Sequence, residues 1–171
     1  MIITAGIYKG RKISAPDEKI TRPTLSKTRM GIFNALFSIM GSFEGKTFLD
    51  MFGGSGIIGL EALSRGFSSV KVYELNKKSA EIIKKNYKTL GINPNLTIGD
   101  SIKLMSETKE YFDVVYIDPP YKSNLYDNIL KIVNGNIIII EHSESLNFPG
   151  YNILKQKKYG NCTITFLSKN F

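Results

Sequence analysis

The sequence has no tryptophan, one histidine (His142) and one cysteine (Cys162). A single cysteine excludes an internal disulfide and any cysteine-cluster metal site. One histidine among scattered carboxylates gives no metal-ligand spacing. No apolar run approaches the ~20 residues that a membrane helix requires. The first dozen residues lack the basic-then-apolar order of a secretory signal. No internal repeat, low-complexity tract or long polar linker is present. The expected compartment is therefore a reducing cytoplasm, with neither membrane nor metal among the partners. Disorder is excluded too, because 42% of the 171 residues are hydrophobic and only 22% are charged. A domain near this size hides roughly 70% of its unfolded surface.

Acid is also in short supply. Lys and Arg number 23 against 15 Asp and Glu, a net charge of +8. The excess is uneven: residues 1–34 hold Lys9, Arg11, Lys12, Lys19, Arg22, Lys27 and Arg29 against only Asp17 and Glu18. A localised basic segment is the electrostatic footprint of a phosphate-backbone binder. A basic surface kept for solubility gives the same composition.

Residues 1–14 read as a small hairpin, Ile2–Ala5 and Arg11–Ser14 flanking the turn at Tyr8-Lys-Gly10. Pro16 and Asp17 break structure. Ile32, Phe33, Leu36, Phe37 and Met40 then fall at helical spacing, which predicts a helix over 24–40 ending near Gly41. From Lys46 strands and helices alternate. Predicted strands are Thr47–Asp50, Val70–Tyr73, Leu96–Ile98, Phe112–Ile117 and Asn136–Ile140; predicted helices are Ile57–Arg65, Lys78–Leu90 and Leu125–Val133. The apolar run at Phe112–Ile117 predicts a strand buried on both faces. Tyr151–Tyr159 and Thr163–Leu167, around Gly160-Asn161, read as a closing antiparallel hairpin. This pattern implies an α/β fold: a mostly parallel, doubly wound sheet with helices on both sides. Ligands of such sheets bind beyond the carboxyl ends of the strands, where the strand order switches. The informative residues are therefore Asp50 and the glycines after it, Glu74, Asp100, Asp118-Pro119-Pro120-Tyr121 and Glu141-His142.

Gly54-Ser-Gly56-Ile-Ile-Gly59 matches the dinucleotide fingerprint, and Glu74 stands 20 residues past Gly54, the spacing of a carboxylate on ribose hydroxyls. Charge decides which nucleotide. A dinucleotide would lay its pyrophosphate against Asp50. S-adenosylmethionine has no phosphate; it carries an ammonium and a cationic sulfur. At an effective dielectric near 20 that difference is roughly several kcal/mol. S-adenosylmethionine is accordingly ranked above NAD. Asp100 is placed either on the adenine amino group or as the cap of a helix beginning near Ser101.

Asp118-Pro119-Pro120-Tyr121 follows the buried strand. Prolines lack amide donors, so the Pro119 carbonyl need not lie in a ladder and can join the Asp118 carboxylate as an acceptor pair. Two acceptors pulling on the N–H bonds of a nucleobase amino group make its nitrogen more pyramidal and its lone pair available. Tyr121 offers a stacking face worth ~1–3 kcal/mol. The target base must leave its stack to reach it. Alignment is the main task, with reacting atoms ~3–3.5 Å apart. These residues support methylation of a nucleobase amino group. They do not separate guanine N2 from adenine N6, or RNA from DNA. Three alternatives stand beside it: a DNA adenine-N6 methyltransferase, which the lack of a long target-recognition insertion disfavours; a catalytically silent RNA-binding assembly factor; and an NAD oxidoreductase. Lysines 77, 78, 84, 85 and 88, with 155, 157 and 158, are either solvated faces or RNA contacts. His142 is either a hydrogen-bonded residue or a catalytic one.

Asp50-Met-Phe-Gly-Gly-Ser-Gly56 resembles the first motif of class I methyltransferases, and Asp118-Pro-Pro-Tyr121 resembles the signature of amino-methyltransferases. Arg22-Pro23-Thr24 through Arg29 to Phe33-Asn34, Gly59-Leu-Glu-Ala-Leu-Ser-Arg-Gly66 and Lys158-Tyr159-Gly160 resemble the RsmD family, over nearly the whole chain. The resemblance implies a Rossmann-like class I methyltransferase with a seven-stranded sheet. It implies an N-terminal basic hairpin-and-helix extension over 1–41 and a methyltransferase domain over 42–171. S-adenosylmethionine would be the donor, and N2 of a guanine in 16S rRNA, on the small ribosomal subunit, the target; separately, a monomer is expected. Asp50, Gly54, Gly56 and Glu74 match the family's cofactor site, and Phe52, Leu75, Asp100 and Ser101 are the further candidate cofactor residues. The implied target-base residues are Asp118, Pro119, Pro120 and Tyr121. Arg22 and Arg29 match the basic positions of the family's N-terminal motif, and Lys9 and Arg11 of the basic segment join them as candidate RNA contacts. Ser26-Lys27 and Met30 depart from the family, which commonly has Asp-Arg and Glu there.

Overall fold

The computed structural model describes residues 1–15, 26–120 and 125–170. The elements are α1 (Ser26–Met40), β1 (Thr47–Asp50), α2 (Ile57–Ser64), β2 (Ser69–Glu74), α3 (Lys77–Thr89), β3 (Asn95–Ile98), α4 (Ser101–Glu107), β4 (Phe112–Ile117), α5 (Leu125–Ile132), β5 (Gly135–His142), β6 (Tyr151–Tyr159) and β7 (Cys162–Lys169). The strands form one sheet in the order β3-β2-β1-β4-β5-β7-β6. β1 to β5 run parallel, and β7 is antiparallel to both β5 and β6. The doubly wound sheet and its closing hairpin are as the alternation predicts.

Side-chain alternation explains the two layers. Val114 and Tyr116 of β4 and Ile139 of β5 point into a core shared with Ile32, Phe33 and Leu36 of α1, Ile58 and Leu60 of α2, and Ile83 and Tyr87 of α3. Their neighbours Val115, Ile117, Ile138 and Ile140 point the other way, onto Met105 of α4 and Ile129 and Leu130 of α5. A strand covered on both faces needs apolar residues at successive positions, and β4 has them. Ile3 and Ile13 belong to the first of these cores. Among the described residues no helix is long and apolar enough to cross a membrane.

Two features differ from the sequence reading. Residues 1–14 make a single antiparallel bridge, Ile2 with Lys12, in place of a regular hairpin. The middle of this segment turns its polar groups onto α2: the Ile7 amide donates to the Ser64 carbonyl at 2.8 Å and the Tyr8 amide to the Ser64 hydroxyl at 3.0 Å. It is better described as a strap. Glu141 and His142 lie within β5, not after it, because β7 carries the ladder on to Glu141–Ile164 and His142–Thr163. Tyr159 earns its place by packing: a Cβ on Gly31 of α1 would lie 1.8 Å from its hydroxyl, so the closing hairpin and α1 meet at a residue with no side chain. The expected breakers Pro16 and Asp17, the first two residues of the predicted helix over 24–40, and the Arg22-Pro23-Thr24 motif lie outside the described residues.

Candidate active site

The parallel strands end on one edge, and β1 and β4 are the neighbours whose connections depart to opposite sides of the sheet. That is the switch point at which such sheets bind ligands. Asp50 ends β1 opposite Tyr116 of β4, two residues before Asp118. The two carboxylates named from the sequence therefore share this edge.

Asp50 is buried, at 1% exposure, and neither carboxylate oxygen has a hydrogen-bond partner among the described residues. Burial pushes its carboxyl up to about 7 from an ordinary 3.8, with the Glu74 charge adding to the rise; the approaching amides of Phe52 and Gly59 pull the other way. A buried charge without a partner is costly, and a cationic group removes that cost.

The glycine turn is shaped by its surroundings. Gly56 caps α2 in the left-handed region at φ 78°. A Cβ on Gly59 would lie 2.4 Å from the Tyr87 hydroxyl, so α2 can rest on α3 and β2 only without a side chain there. Glu74, at the end of β2, holds the turn: one oxygen accepts from the Gly54 amide at 2.7 Å and the other from the Asn76 amide at 2.7 Å. Asn76 in turn caps α3 through the Lys78 and Ser79 amides. Leu75 beyond Glu74 is exposed, Phe52 is half-buried and Ser101 is buried. Of the two roles open to Asp100, the structure displays the cap: its Oδ1 accepts from the Lys103 amide at 2.8 Å.

At the other side of the switch, Asp118 is half-buried, Pro119 buried and Pro120 exposed. Tyr121 lies outside the described residues. Tyr126 of α5 donates from its hydroxyl to the Glu141 carbonyl at 2.9 Å. Burial, with the charges of Asp118, Glu144 and Glu141 adding to it, raises that hydroxyl's pKa and keeps it a donor. The rim between β4 and β5 is thus anionic.

His142 is buried and both ring nitrogens are engaged. A carbonyl only accepts, so Nδ1 donates to the Glu144 carbonyl at 2.7 Å; Nε2 lies 2.8 Å from the Thr165 hydroxyl, which also accepts from Gln156 at 2.9 Å. Of its two readings, the structure displays the hydrogen-bonded one. Cys162 donates to Glu141 at 3.2 Å from within β7.

Among the RNA contacts named from sequence, Lys9 and Arg11 are exposed on the strap, and Arg22 lies outside the described residues. Arg29 is corrected. It is 1% exposed, donates to the Ile2 carbonyl at 2.6 Å and the Ser26 hydroxyl at 3.2 Å, and faces Glu61 at 3.7 Å. Burial lowers its pKa and Glu61 raises it again. Glu61 is itself fully buried, pairs with Arg65 at 3.0 Å, and accepts from the Thr4 amide and hydroxyl. Arg29 is therefore bound to the strap and α2, out of reach of a nucleic acid.

One residue near the site carried no motif. Asn86 on α3 is 1% exposed and donates to the Ser55 carbonyl in the glycine turn at 2.9 Å and to the Ser14 carbonyl at 3.0 Å. An asparagine on the inward face of a helix, beside Ile83, Tyr87 and Leu90, was the available signal.

The site is a glycine turn with a buried carboxylate that has no hydrogen-bond partner among the described residues, on the same sheet edge as a half-buried carboxylate followed by two prolines. It suits a cationic ligand and repels a pyrophosphate; S-adenosylmethionine fits those residues. Comparison with known proteins agrees. The family described as conserved hypothetical protein 95 matches residues 1–168. The ribosomal RNA small subunit methyltransferase D of Haemophilus influenzae is 34% identical over 174 residues, covering 92% of this chain and 88% of its own. The protein of the same name from Escherichia coli is 29% identical over 135 residues, 78% of this chain and 67% of its own. Among solved structures, the Escherichia coli yhhF protein superposes with a TM-score of 0.86 at 23% identity, covering 99% of this chain and 98% of that one. A variant of MtNAS in complex with S-adenosylmethionine superposes at 0.65 with 19% identity, over 84% of this chain and 62% of that one, a likeness of fold alone. A family match over almost every residue, on the strand order and glycine turn described above, makes this chain a member of that family, the RsmD family of class I methyltransferases.

Proposed function

We propose that the protein methylates the exocyclic N2 amino group of a guanine in 16S rRNA, with the assembled small subunit as its substrate. The observation that carries this reading is the buried Asp50 carboxylate, without a hydrogen-bond partner among the described residues, at the β1–β4 switch on the same edge as the Asp118-Pro119 acceptors. The names of the relatives support rRNA as the substrate class.

S-adenosylmethionine, when bound, supplies a methyl carbon on a positively charged sulfur that departs as a neutral thioether. The chain's own residues bind and orient. Asp50 takes the ammonium, which relieves its burial. Each Glu74 oxygen keeps a lone pair beyond its amide bond, enough to accept from a ribose diol. Leu75 offers an apolar face to the adenine. Across the switch, the Asp118 carboxylate and the Pro119 carbonyl accept from the two amino N–H bonds of the guanine, leaving the nitrogen lone pair aimed at the methyl carbon. Tyr121 stacks on the base. The surplus proton on nitrogen passes to Asp118 or to water.

The test is methyl transfer from tritiated S-adenosylmethionine to small subunits lacking the modification, to naked 16S rRNA and to DNA, with the labelled base mapped. Label on guanine N2 in subunit rRNA is expected. Label on adenine N6 of DNA would overturn the proposal, and label on naked rRNA in preference to subunits would overturn the assembled particle as substrate.

A further inference from the structure

Resting on the reading that the substrate is RNA, the geometry points to a second basic element: the exposed side of α3 next to the strap, where Lys78 and Lys85 continue the cations of the strap into one phosphate-binding track. Two contacts fix where the strap meets α3. Arg11 donates from Nη2 to the Thr89 carbonyl at 3.2 Å. Asn86 holds Ser14 by both backbone groups, accepting from its amide at 2.8 Å and donating to its carbonyl at 3.0 Å. Residues three and four apart on a helix share a face, so Lys78 and Lys85 lie on one exposed stripe with positions 82 and 89, next to the Asn86 face that takes the strap and ending where Arg11 meets the Thr89 carbonyl.

The stripe is cationic. Lys78 and Lys85 are exposed and form no ion pair among the described residues. The one acid of α3, Glu81, is held by Lys84 at 2.7 Å further round the helix. At ~1.5 Å of rise per residue the two lysines stand ~10 Å apart along the axis, with Lys78 toward the carboxyl edge of the sheet and Arg11 near the far end. A row of cations whose neighbouring acid, Glu81, is already paired with Lys84 is rewarded by a chain of phosphates through counterion release. The row also has a fixed relation to the site, because Asn86 bonds the Ser55 carbonyl of the glycine turn as well as Ser14. An RNA strand lying along α3 is thereby held in register with the reacting edge.

The experiment is equilibrium binding of naked 16S rRNA to the full chain between about 50 and 200 mM salt. Lys78→Ala and Lys85→Ala should each reduce the steepness of log K against log salt by roughly 0.7–0.9, and the double variant by twice that. Donor affinity by calorimetry and the melting temperature should not move. Lys131→Ala, on α5 across the sheet, should leave the slope as it is. A double variant with the wild-type slope overturns the track while leaving the RNA reading intact. A wild-type protein that binds no RNA overturns both.

Discussion

At the scale of single residues, Asp50 and Asp118 are both acids at strand ends, yet their environments separate them. Asp50 is buried and held up at about 7, so the ligand-free protein carries it mostly protonated below neutrality. An ammonium pairs with the ionised form only. Donor affinity should therefore rise with pH from about 5 to 7 and level off above, changing by up to about tenfold per unit on the acid side. Calorimetry in buffers of different ionisation enthalpy would register the proton released on binding. An affinity flat over that range would remove Asp50 from the ammonium site. Asp118 belongs to the acceptor pair. Asp118→Ala should leave donor affinity nearly unchanged and reduce turnover on the order of 10²-fold or more, as loss of one aligned polar group at a reacting centre does. Asp50→Ala should show the reverse order, with affinity lost first.

At the scale of elements, the strap and α1 are joined to α2 by buried polar groups, and here the sequence misled about one residue. Arg29 stands in a basic segment, and charge alone reads it with Lys9 and Arg11. Only the packing distinguishes them, since the helix period that buries Ile32, Phe33 and Leu36 also turns Arg29 inward onto Glu61. Glu61 carries the prediction. Removing one partner of a buried ion cluster leaves an uncompensated charge, at a cost of about 3–5 kcal/mol. Glu61→Leu should lower the melting temperature by roughly 10 °C in a chain of this size. Hydrogen exchange at the Ile7 and Tyr8 amides, which bond to Ser64, should accelerate as the strap loosens. Adding Arg29→Met should recover part of the loss, because an apolar pair in such a place is often neutral. An Arg29→Ala variant of normal stability and reduced salt dependence of RNA binding would return this residue to the RNA surface.

At the scale of the whole molecule, legibility followed the range of the interaction. The apolar run of β4, the fingerprint after Asp50 and the acid 20 residues later are local patterns, and they located the sheet and the turn. The bonds that seat the strap were invisible because they join residues far apart, Thr4 to Glu61 and Ser14 to Asn86, and no period or motif encodes them. Ligand and fold are nonetheless linked through Asp50, and that linkage can be measured on the intact protein. A ligand at a hundred times its Kd adds about 2.7 kcal/mol to stability, or about 5–10 °C in melting temperature here. S-adenosylmethionine should produce that shift and NAD should not, since its pyrophosphate would meet Asp50. The sign with pH follows from the raised carboxyl. The stability that Asp50 contributes to the ligand-free fold is fully present below about 4, where both states are protonated, and is lost as pH rises toward and through about 7. The bound ammonium restores it where the carboxylate is ionised. The ligand-induced shift should consequently be larger at pH 8 than at pH 5, and Asp50→Asn should abolish that difference. A shift of equal size at both pH values, or one matched by NAD, would mean that the glycine turn receives something other than a cation.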